Sequence, residues 1–268
     1  MSWDDVRFTD NSFFNLSLYG DTSDFNKEPS RTPELTSIGS FDKGWKKENN
    51  EWWLYKVADD NQKYSEWLIS EVGSKLLGFD MAYYVMNDDN TIKTLDFTEN
   101  NKYNYEPMFS LIGANNDYND NFNLLLNIDN NLAISYLKIL YADTLFQNMD
   151  RHTFNYGLLR DSNTGQILKL APNYDNNVAL IYKGKLPSID LPLIDNDLYD
   201  LLDQNATAVL MLNNINIPVI NKDDLSKITN NIETSVDKDY LNDYIIKHQK
   251  MINDKIAYYK TNSNAFKK

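Results

Sequence analysis

The sequence contains no cysteine and only two histidines, His152 and His248, among 268 residues. Disulfides, cysteine-based zinc sites and a thiol nucleophile are therefore excluded, and so is a metal site built from several histidines. His248 belongs to a tail at about 223–260 that is predicted to be helical, and we expect it at the surface.

Arginine is scarce too, with four residues, and acidic residues outnumber lysine and arginine by 39 to 26, a net charge of −13. No basic block is present that could neutralise nucleic-acid phosphates or an anionic membrane, so we expect no direct nucleic-acid or membrane partner. The sequence also lacks a signal-peptide pattern and a membrane-spanning apolar run. These absences predict a cytoplasmic protein and leave signal-less export to a host open.

Secondary-structure signals divide the chain into a strand-rich first part and a helix-rich remainder. The first part is predicted to contain strands at 52–57, 81–86 and 92–97 and a helix at 65–77. After Thr98 the pattern becomes helical, including a buried helix at 132–148, with one embedded hairpin at 156–159 and 167–170. The order predicts an α+β fold, with a boundary near 95–98.

The loop that follows the buried helix has the spacing of a phosphoryl-transfer site. Protein kinases place a catalytic aspartate and a metal-binding asparagine five positions apart, as Asp150 and Asn155 are in the loop 148–155. A second metal-binding aspartate follows a short hairpin in such enzymes, and Asp175 is placed that way. Taken alone, Asp150 could equally cap a turn; Asn155 and Asp175 favour the catalytic interpretation.

The cationic part of such a site lies upstream. Lys56 is in a predicted strand and Glu66 is on the next helix, the arrangement of the Lys–Glu pair that neutralises phosphate charge. A loop at 36–44 with two glycines precedes that strand, although a glycine pair also suits a hairpin turn. Lys56 could face solvent, but strand alternation places it on the face of Leu54 and Trp52.

Two departures from ordinary kinase motifs indicate a particular family. His152 follows the base, so His-Arg-Asp is absent, and Tyr174-Asp175-Asn176 stands in place of Asp-Phe-Gly. The motifs are Asn148-x-Asp150-Arg151-His152-x-x-Asn155-Tyr156-Gly157 and Ala171-Pro172-x-Tyr174-Asp175-Asn176. They resemble the HipA-like serine/threonine kinases, and 93–98 with 142–145 most resemble the compact CtkA-like branch. The resemblance covers about 35–180.

The resemblance implies one bilobal, protein-kinase-like domain. Its small β-rich N-lobe would span 1–97, and its larger helical C-lobe with the embedded hairpin would span 98–268. The nucleotide would bind between the lobes. The implied activity is transfer of the ATP γ-phosphate to a serine or threonine hydroxyl, with Mg²⁺, including transfer to the chain itself.

The resemblance also implies roles for single residues. Asp150 would be the base, and Asn155 and Asp175 the Mg²⁺ ligands. The implied nucleotide-binding residues are Lys56 with Glu66, the hinge residues Asp96 and Phe97, His152, Tyr174, and the loop residues Ile38, Gly39, Ser40, Phe41, Asp42 and Lys43. His152 could instead be a structural histidine.

Two assignments, the glutamate partner of Lys56 and the autophosphorylated serine, each have two nearby candidates. The family pattern selects Glu66 over Glu71 as the partner of Lys56, and Glu71 is then expected at the surface. Ser37-Ile38-Gly39 resembles a regulatory autophosphorylation site of the family but is one residue shorter, so Ser37 and Ser40 are both candidates. The family further implies an unidentified protein substrate, an antitoxin or regulatory partner, and a toxin or effector role.

Two other classes of function use a similar set of residues. One is a catalytically silent ATP-binding module, although a degenerate kinase usually loses at least one residue of the set. The other is a magnesium-dependent phosphatase or hydrolase, which would need neither the Lys56–Glu66 pair nor the glycine loop.

Overall fold

The computed structural model describes Leu18 and residues 42–100, 102–181, 185–188 and 197–262. Six residues of the predicted phosphate-binding loop lie outside the described residues: Thr36, Ser37, Ile38, Gly39, Ser40 and Phe41. Asp42, Lys43 and Gly44 are described, and the last two already belong to the first strand.

A four-stranded antiparallel sheet is formed by the first part of the chain. Its strands are β1 (Lys43–Glu48), β2 (Glu51–Val57), β3 (Tyr84–Met86) and β4 (Thr91–Leu95), in the order β1-β2-β4-β3. The strand predicted at 52–57 is confirmed, and the next two are shorter than predicted. Asn49 and Asn50 join β1 to β2 in left-handed backbone conformations (φ 49° and 70°), which asparagine tolerates better than most residues.

Helix α1 (Asp60–Lys75) connects β2 to β3 and begins five residues before the predicted start at Ser65. Asp59 caps it by accepting a hydrogen bond from the Gln62 backbone N–H, and the Gln62 side chain bonds back to the Asp59 N–H. Apolar spacing missed this first turn because it is polar. The capping box, which fixes the helix start, also fixes the direction in which Glu66 enters the interior.

The two faces of β2 have different neighbours. Trp53 and Tyr55 point to one side of the sheet and pack with Leu18. Lys56 shares the other side with Leu54 and Trp52, as strand alternation requires. Lys56 therefore points toward α1 and the second part of the chain.

A second sheet lies in the part of the chain that was predicted to be helical. The predicted hairpin is present as β6 (Gly157–Asp161) and β7 (Ile167–Leu170), and β5 (Tyr103–Pro107) pairs with β6. The helical prediction was wrong for β5. Its two tyrosines alternate with polar residues, a strand pattern that is too short to be distinctive without its neighbour.

The remaining described elements are helices that pack around one of them. They are α2 (Phe109–Ile112), α3 (Tyr118–Ile128), α4 (Asn130–Phe146), α5 (Asp197–Gln204), α6 (Ala206–Asn214), α7 (Lys222–Thr229) and α8 (Lys238–Asn262). Helix α4 is buried over most of its length and ends directly before the loop 148–155. No helix within the described ranges is long and apolar enough to cross a membrane.

The expected surface position of His248 was wrong. Its ring is fully buried in α8 and stacks on Tyr244, with ring centroids 3.9 Å apart. Lys247 and Lys250 on the same helix are exposed, so the polar composition around His248 did not reveal the buried stripe.

Candidate active site

The side chains of Lys56, Glu66 and Asp175 meet where β2, α1 and the segment after β7 come together. Lys56 Nζ lies 3.1 Å from Glu66 Oε1 and 2.5 Å from Asp175 Oδ1. The Glu66 side chain is fully buried, and the Lys56 side chain is 13% exposed. Three predicted site residues from distant parts of the chain are thus in direct contact.

The three charges influence one another strongly. Burial acts to lower the pKa of Lys56, but the Glu66 and Asp175 carboxylates raise it above its ordinary value. Burial acts to raise the pKa of Asp175, and the positive charges nearby, Lys56 first, bring it below its ordinary value. Complete burial raises the pKa of Glu66, with Lys56 acting in the opposite direction. Lys56 therefore remains an ammonium group between two acidic side chains.

Glu71, the alternative partner of Lys56, points elsewhere. It forms an ion pair with Lys75 one turn later on the same helix. The expectation that Glu71 lies at the surface was wrong, since the residue is 8% exposed. The four-carbon stem of Lys75 reaches it from the solvent side, which leaves the carboxylate covered but close to water.

Asp175 and Asn176 are held through their backbones as well as their side chains. Asp175 has a left-handed conformation (φ 59°), which is uncommon for a residue with a side chain. Its N–H donates to the Tyr84 hydroxyl oxygen at 3.1 Å, and the Asn176 N–H donates to Glu66 Oε2 at 3.0 Å. The glutamate therefore binds Lys56 with one oxygen and the backbone after Asp175 with the other.

The loop 148–155 presents Asp150 to solvent. The Asp150 side chain is 52% exposed, while its backbone N–H donates to Asn148 Oδ1 at 3.1 Å. Its carbonyl accepts hydrogen bonds from Asn155 Nδ2 at 2.9 Å and from the His152 N–H at 3.0 Å. The loop is thus closed by its own polar groups, and the Asp150 carboxylate remains accessible.

Arg151 joins this loop to the Asp175 segment. It is buried, and its guanidinium reaches six acceptors on three parts of the chain. These are Asp143 Oδ2 and Oδ1 (2.9 and 2.8 Å), Asn173 Oδ1 and Asn176 Oδ1 (2.8 Å each), and the carbonyls of Asn155 (2.6 Å) and Tyr174 (2.8 Å). Because the Asn155 and Tyr174 carbonyls share Nη1, the predicted metal ligands Asn155 and Asp175 come from neighbouring backbones.

The Arg151–Asp143 pair satisfies the charge of both residues inside the protein. Burial acts to lower the pKa of Arg151, and the bidentate Asp143 carboxylate more than reverses this effect. Asn148 adds a third bond to Asp143 at 3.2 Å. Helix α4 therefore anchors the whole loop through one aspartate.

His152 lies beside Asp150. Its Nε2 is 3.9 Å from Asp150 Oδ1, and its Nδ1 accepts a hydrogen bond from the Phe154 N–H at 3.3 Å. The side chain is 43% exposed. These contacts give His152 a structural partner within the loop and also place it next to the predicted base.

An aromatic cluster lies at the predicted hinge. The ring of Phe97 is 5.6 Å from the rings of both Tyr105 and Tyr174. The hydroxyls of the two tyrosines are 2.5 Å apart, and that of Tyr174 donates to the Phe154 carbonyl at 2.7 Å. Asp96 accepts from the Thr98 N–H and hydroxyl, so its carboxylate fixes the turn after β4.

The described residues of the predicted phosphate loop lie next to the charged cluster. Lys43 stands opposite Lys56 in the β1–β2 register. Burial lowers its pKa, with Asp175 raising it and Lys56 lowering it further. Asp42 is exposed at the end of the strand, where its carbonyl accepts from the Val57 N–H.

No family model matches the chain, and no curated protein matches its sequence. Among solved structures, the Helicobacter pylori proinflammatory kinase CtkA matches with a TM-score of 0.60 and 20% identity, over 84% of this chain and 94% of that one. The chain shares the fold of that kinase. HipA of Shewanella oneidensis MR-1, from a complex with HipB and operator DNA, matches with a TM-score of 0.49 and 12% identity over 85% and 66%.

The kinase fold confirms the predicted α+β, bilobal class. The charged cluster lies where the first sheet and α1 meet the helical part of the chain. Its residues are Lys56, Glu66 and Asp175. The embedded hairpin is one strand wider than predicted, and β5 is the strand that leads from the hinge into the helical part.

The oxygen donors of a kinase fold suit Mg²⁺, which prefers carboxylate and carbonyl oxygens and takes few of them from protein. Among the described residues, no group of three or more histidine, aspartate or glutamate side chains forms a metal cluster. The pair Asp175 and Asn155 fits instead. Lys56 binds Asp175 Oδ1, and Asn155 uses its amide N–H, so Asp175 Oδ2 and Asn155 Oδ1 accept no hydrogen bond from the described residues.

Two groups that organise the site were not predicted. Arg151 belongs to a sequence motif and Tyr84 to a predicted strand, but the sequence assigns neither residue a role in the site. The low number of arginines was the available signal for Arg151. The chain has four arginines, and one of them directly follows the predicted base, which suggests a specific contact for its guanidinium. Tyr84 carried no signal, because its contacts lie about 90 positions away.

Proposed function

We propose that the chain is an ATP- and Mg²⁺-dependent serine/threonine protein kinase. The observation that carries the proposal is the contact of Lys56 with both Glu66 and Asp175. In kinases, a lysine held by a buried glutamate beside a metal-binding aspartate positions the phosphates of a nucleoside triphosphate. A hydrolase would not need that pair, so the contact favours a kinase.

The nucleotide would bind between the two sheets. Lys56 would contact the α- and β-phosphates, with Lys43 and the rest of the loop 36–44 over them. Asp96 and Phe97 would offer backbone groups to adenine. Tyr174, which packs on Phe97, and His152, which lies beside Asp150, would line the same cleft.

The acceptor would approach the exposed Asp150 carboxylate. Asp150 takes the proton of a serine or threonine hydroxyl, the hydroxyl oxygen forms a bond to the γ-phosphorus, and the bond from that phosphorus to the β–γ bridging oxygen breaks, releasing ADP. Asp175 and Asn155 would hold Mg²⁺, which when bound offsets the charge on the transferring phosphoryl group. Arg151 keeps the base and the metal ligands at a fixed separation.

Regulation and partners extend this proposal. Ser37 and Ser40 in the phosphate-binding loop are candidates for autophosphorylation, which would block the loop from covering ATP. An antitoxin or other regulatory protein is the proposed partner, and a toxin or effector role in the cytoplasm or a host the proposed setting. The net charge of −13 argues against direct contact with nucleic acid.

The test is transfer from radiolabelled ATP with Mg²⁺, to the chain itself and to generic acceptor proteins. The intact chain is compared with Asp150→Asn, and with Asp88→Asn as a matched control in the exposed turn between β3 and β4. We expect label on protein with the intact chain and Asp88→Asn, and a loss of about 10²- to 10⁴-fold with Asp150→Asn.

The other candidate functions give different results. Nucleotide-induced thermal stabilisation with no transfer to any protein, and no ADP formation, would indicate a silent binding module. Release of phosphate from simple phosphate esters without any need for ATP would indicate a hydrolase.

A further inference from the structure

The left-handed backbone at Asp175 must be held by its surroundings, because a residue with a side chain does not prefer it. The side-chain oxygen of the neighbouring Asn176 accepts a hydrogen bond from Arg151 at 2.8 Å. The conformation of Asp175 itself is held by a different group. That group is the hydroxyl of Tyr84.

Tyr84 is well placed for this task. It lies at the start of β3, is 5% exposed, and its hydroxyl oxygen accepts the Asp175 N–H at 3.1 Å. A phenol that accepts in this way keeps its own proton for a second partner. Burial, followed by the nearby Glu66 and Asp175 carboxylates, raises the pKa of Tyr84.

The chain around Tyr84 is tied to the same segment. The Ala82 N–H donates to the Asn173 carbonyl and the Asn173 N–H donates to the Asp80 carbonyl, both at 2.9 Å. Ser70 on α1 donates to the Ala82 carbonyl at 2.6 Å. Residues 80–84 therefore form a short parallel contact with 173–175, and α1 is bonded to both sides of it.

We propose that Tyr84 is a positioning residue that fixes the left-handed Asp175 backbone by accepting its N–H. With Tyr84 in place, the Asp175 carboxylate faces Lys56. The proposal rests on the proposed kinase function, since it assigns Tyr84 to the metal side of that site.

The test compares Tyr84→Phe with Tyr64→Phe. Tyr64 is a fully buried tyrosine on α1 whose hydroxyl donates to the Thr229 carbonyl, away from the charged cluster, so both variants lose one buried hydroxyl. The Mg²⁺ dependence of phosphate transfer is measured, together with the Mg²⁺ dependence of nucleotide binding by calorimetry. For Tyr84→Phe we expect the turnover number to fall about tenfold and the Mg²⁺ requirement to rise severalfold in both assays. Tyr64→Phe should match the intact chain.

Equal Mg²⁺ requirements for the two variants would overturn the proposal and give Tyr84 a packing role only. If the intact chain binds nucleotide with Mg²⁺ but transfers no phosphate, the kinase proposal fails while the binding assay still tests Tyr84. If the intact chain shows no Mg²⁺-dependent nucleotide binding, both proposals fail. Amide hydrogen exchange on the intact chain needs no variant, and rapid exchange of the Asp175 N–H would contradict the Tyr84 contact even if Tyr84→Phe does not fold.

Discussion

Asp175 and Asp150, the two aspartates at the centre of the site, are held in opposite ways. Asp175 is bound through its carboxylate by Lys56 and through its N–H by Tyr84, and its side chain is 31% exposed. Asp150 is hydrogen-bonded through its backbone, its carboxylate lies 3.9 Å from His152 Nε2, and half of its side chain faces solvent. A carboxylate in the covered part of a site needs fixed partners to remain ionised, whereas one at the rim keeps its charge through water and stays available to a substrate.

Arg151 connects these two regions without touching either carboxylate. It bonds the carbonyls of Asn155 and Tyr174, and so sets the distance between the accessible loop and the covered segment. The position of Asp150 therefore depends on the buried Arg151–Asp143 pair. We call Asp175 the clamped aspartate, because Lys56 and Tyr84 hold it, and the exposed Asp150 the open aspartate. The contrast between them depends on the Arg151–Asp143 pair, and three experiments probe it.

The largest effect is expected for Arg151→Met. The substitution leaves Asp143 buried without its bidentate partner, and breaking a buried pair in this way costs about 3–5 kcal/mol of unfolding free energy. Urea denaturation measures the loss. Arg160→Met is the matched control, because the Arg160–Glu106 pair is partly exposed and should contribute about 1 kcal/mol or less. Similar losses for the two variants would show that Arg151 does not organise the interior.

His248 extends the comparison to a buried group that has no ionic partner. Burial, with a smaller effect of Lys247, lowers its pKa from 6.5 to about 4. Between these values the unfolded chain binds a proton that the folded chain does not, so His248 favours folding above pH 6.5 and this contribution is lost as the pH falls toward 4. The loss should reach about 3 kcal/mol.

The difference in unfolding free energy between the intact chain and His248→Phe, measured at pH 7.5, 5.5 and 4.5, isolates this effect from other titrating groups. The intact chain should lose stability relative to the variant as the pH falls. A constant difference between the intact chain and His248→Phe would mean that His248 binds a proton equally well in the folded and the unfolded chain.

The smallest effect on stability is expected in a direct comparison of the two aspartates. Asp175→Asn removes a carboxylate that Lys56 binds, and should lower the unfolding free energy by about 1–2 kcal/mol. Asp150→Asn changes an exposed side chain and should stay within about 0.5 kcal/mol of the intact chain. Both should abolish transfer. Equal stability of the two variants, by urea denaturation, would remove the distinction between a clamped and an open aspartate.

Much of the site could be predicted because its signals are local. The spacing of Asp150 and Asn155 is a property of one loop, and Lys56 and Glu66 lie on consecutive elements whose patterns are clear. The aromatic strand around Lys56 was correct because period-two alternation is visible within six residues. The roles of these residues as base and ligands stay predictions until phosphate transfer is measured.

The errors had a common physical origin. Residues 103–107 form a strand because β6 pairs with them, and five residues carry too little pattern to reveal a partner more than fifty positions away. Glu71 and His248 were expected at the surface from residue type, yet neighbouring elements cover both. Burial of a polar residue depends on what packs over it, which its own sequence neighbours do not specify.

The sequence by itself determined the change from a strand-rich first part to a helix-rich remainder, the motif spacing and the net negative charge, since each can be read from residues close together in the chain or from composition. Only the tertiary structure decided which distant groups share one atom: Arg151 Nη1 between two loops, and the Tyr84 hydroxyl beneath Asp175. Hydrogen bonds are directional and act over about 3 Å. Contacts of this kind exist only after packing has fixed both partners, and they leave no periodic pattern in the sequence.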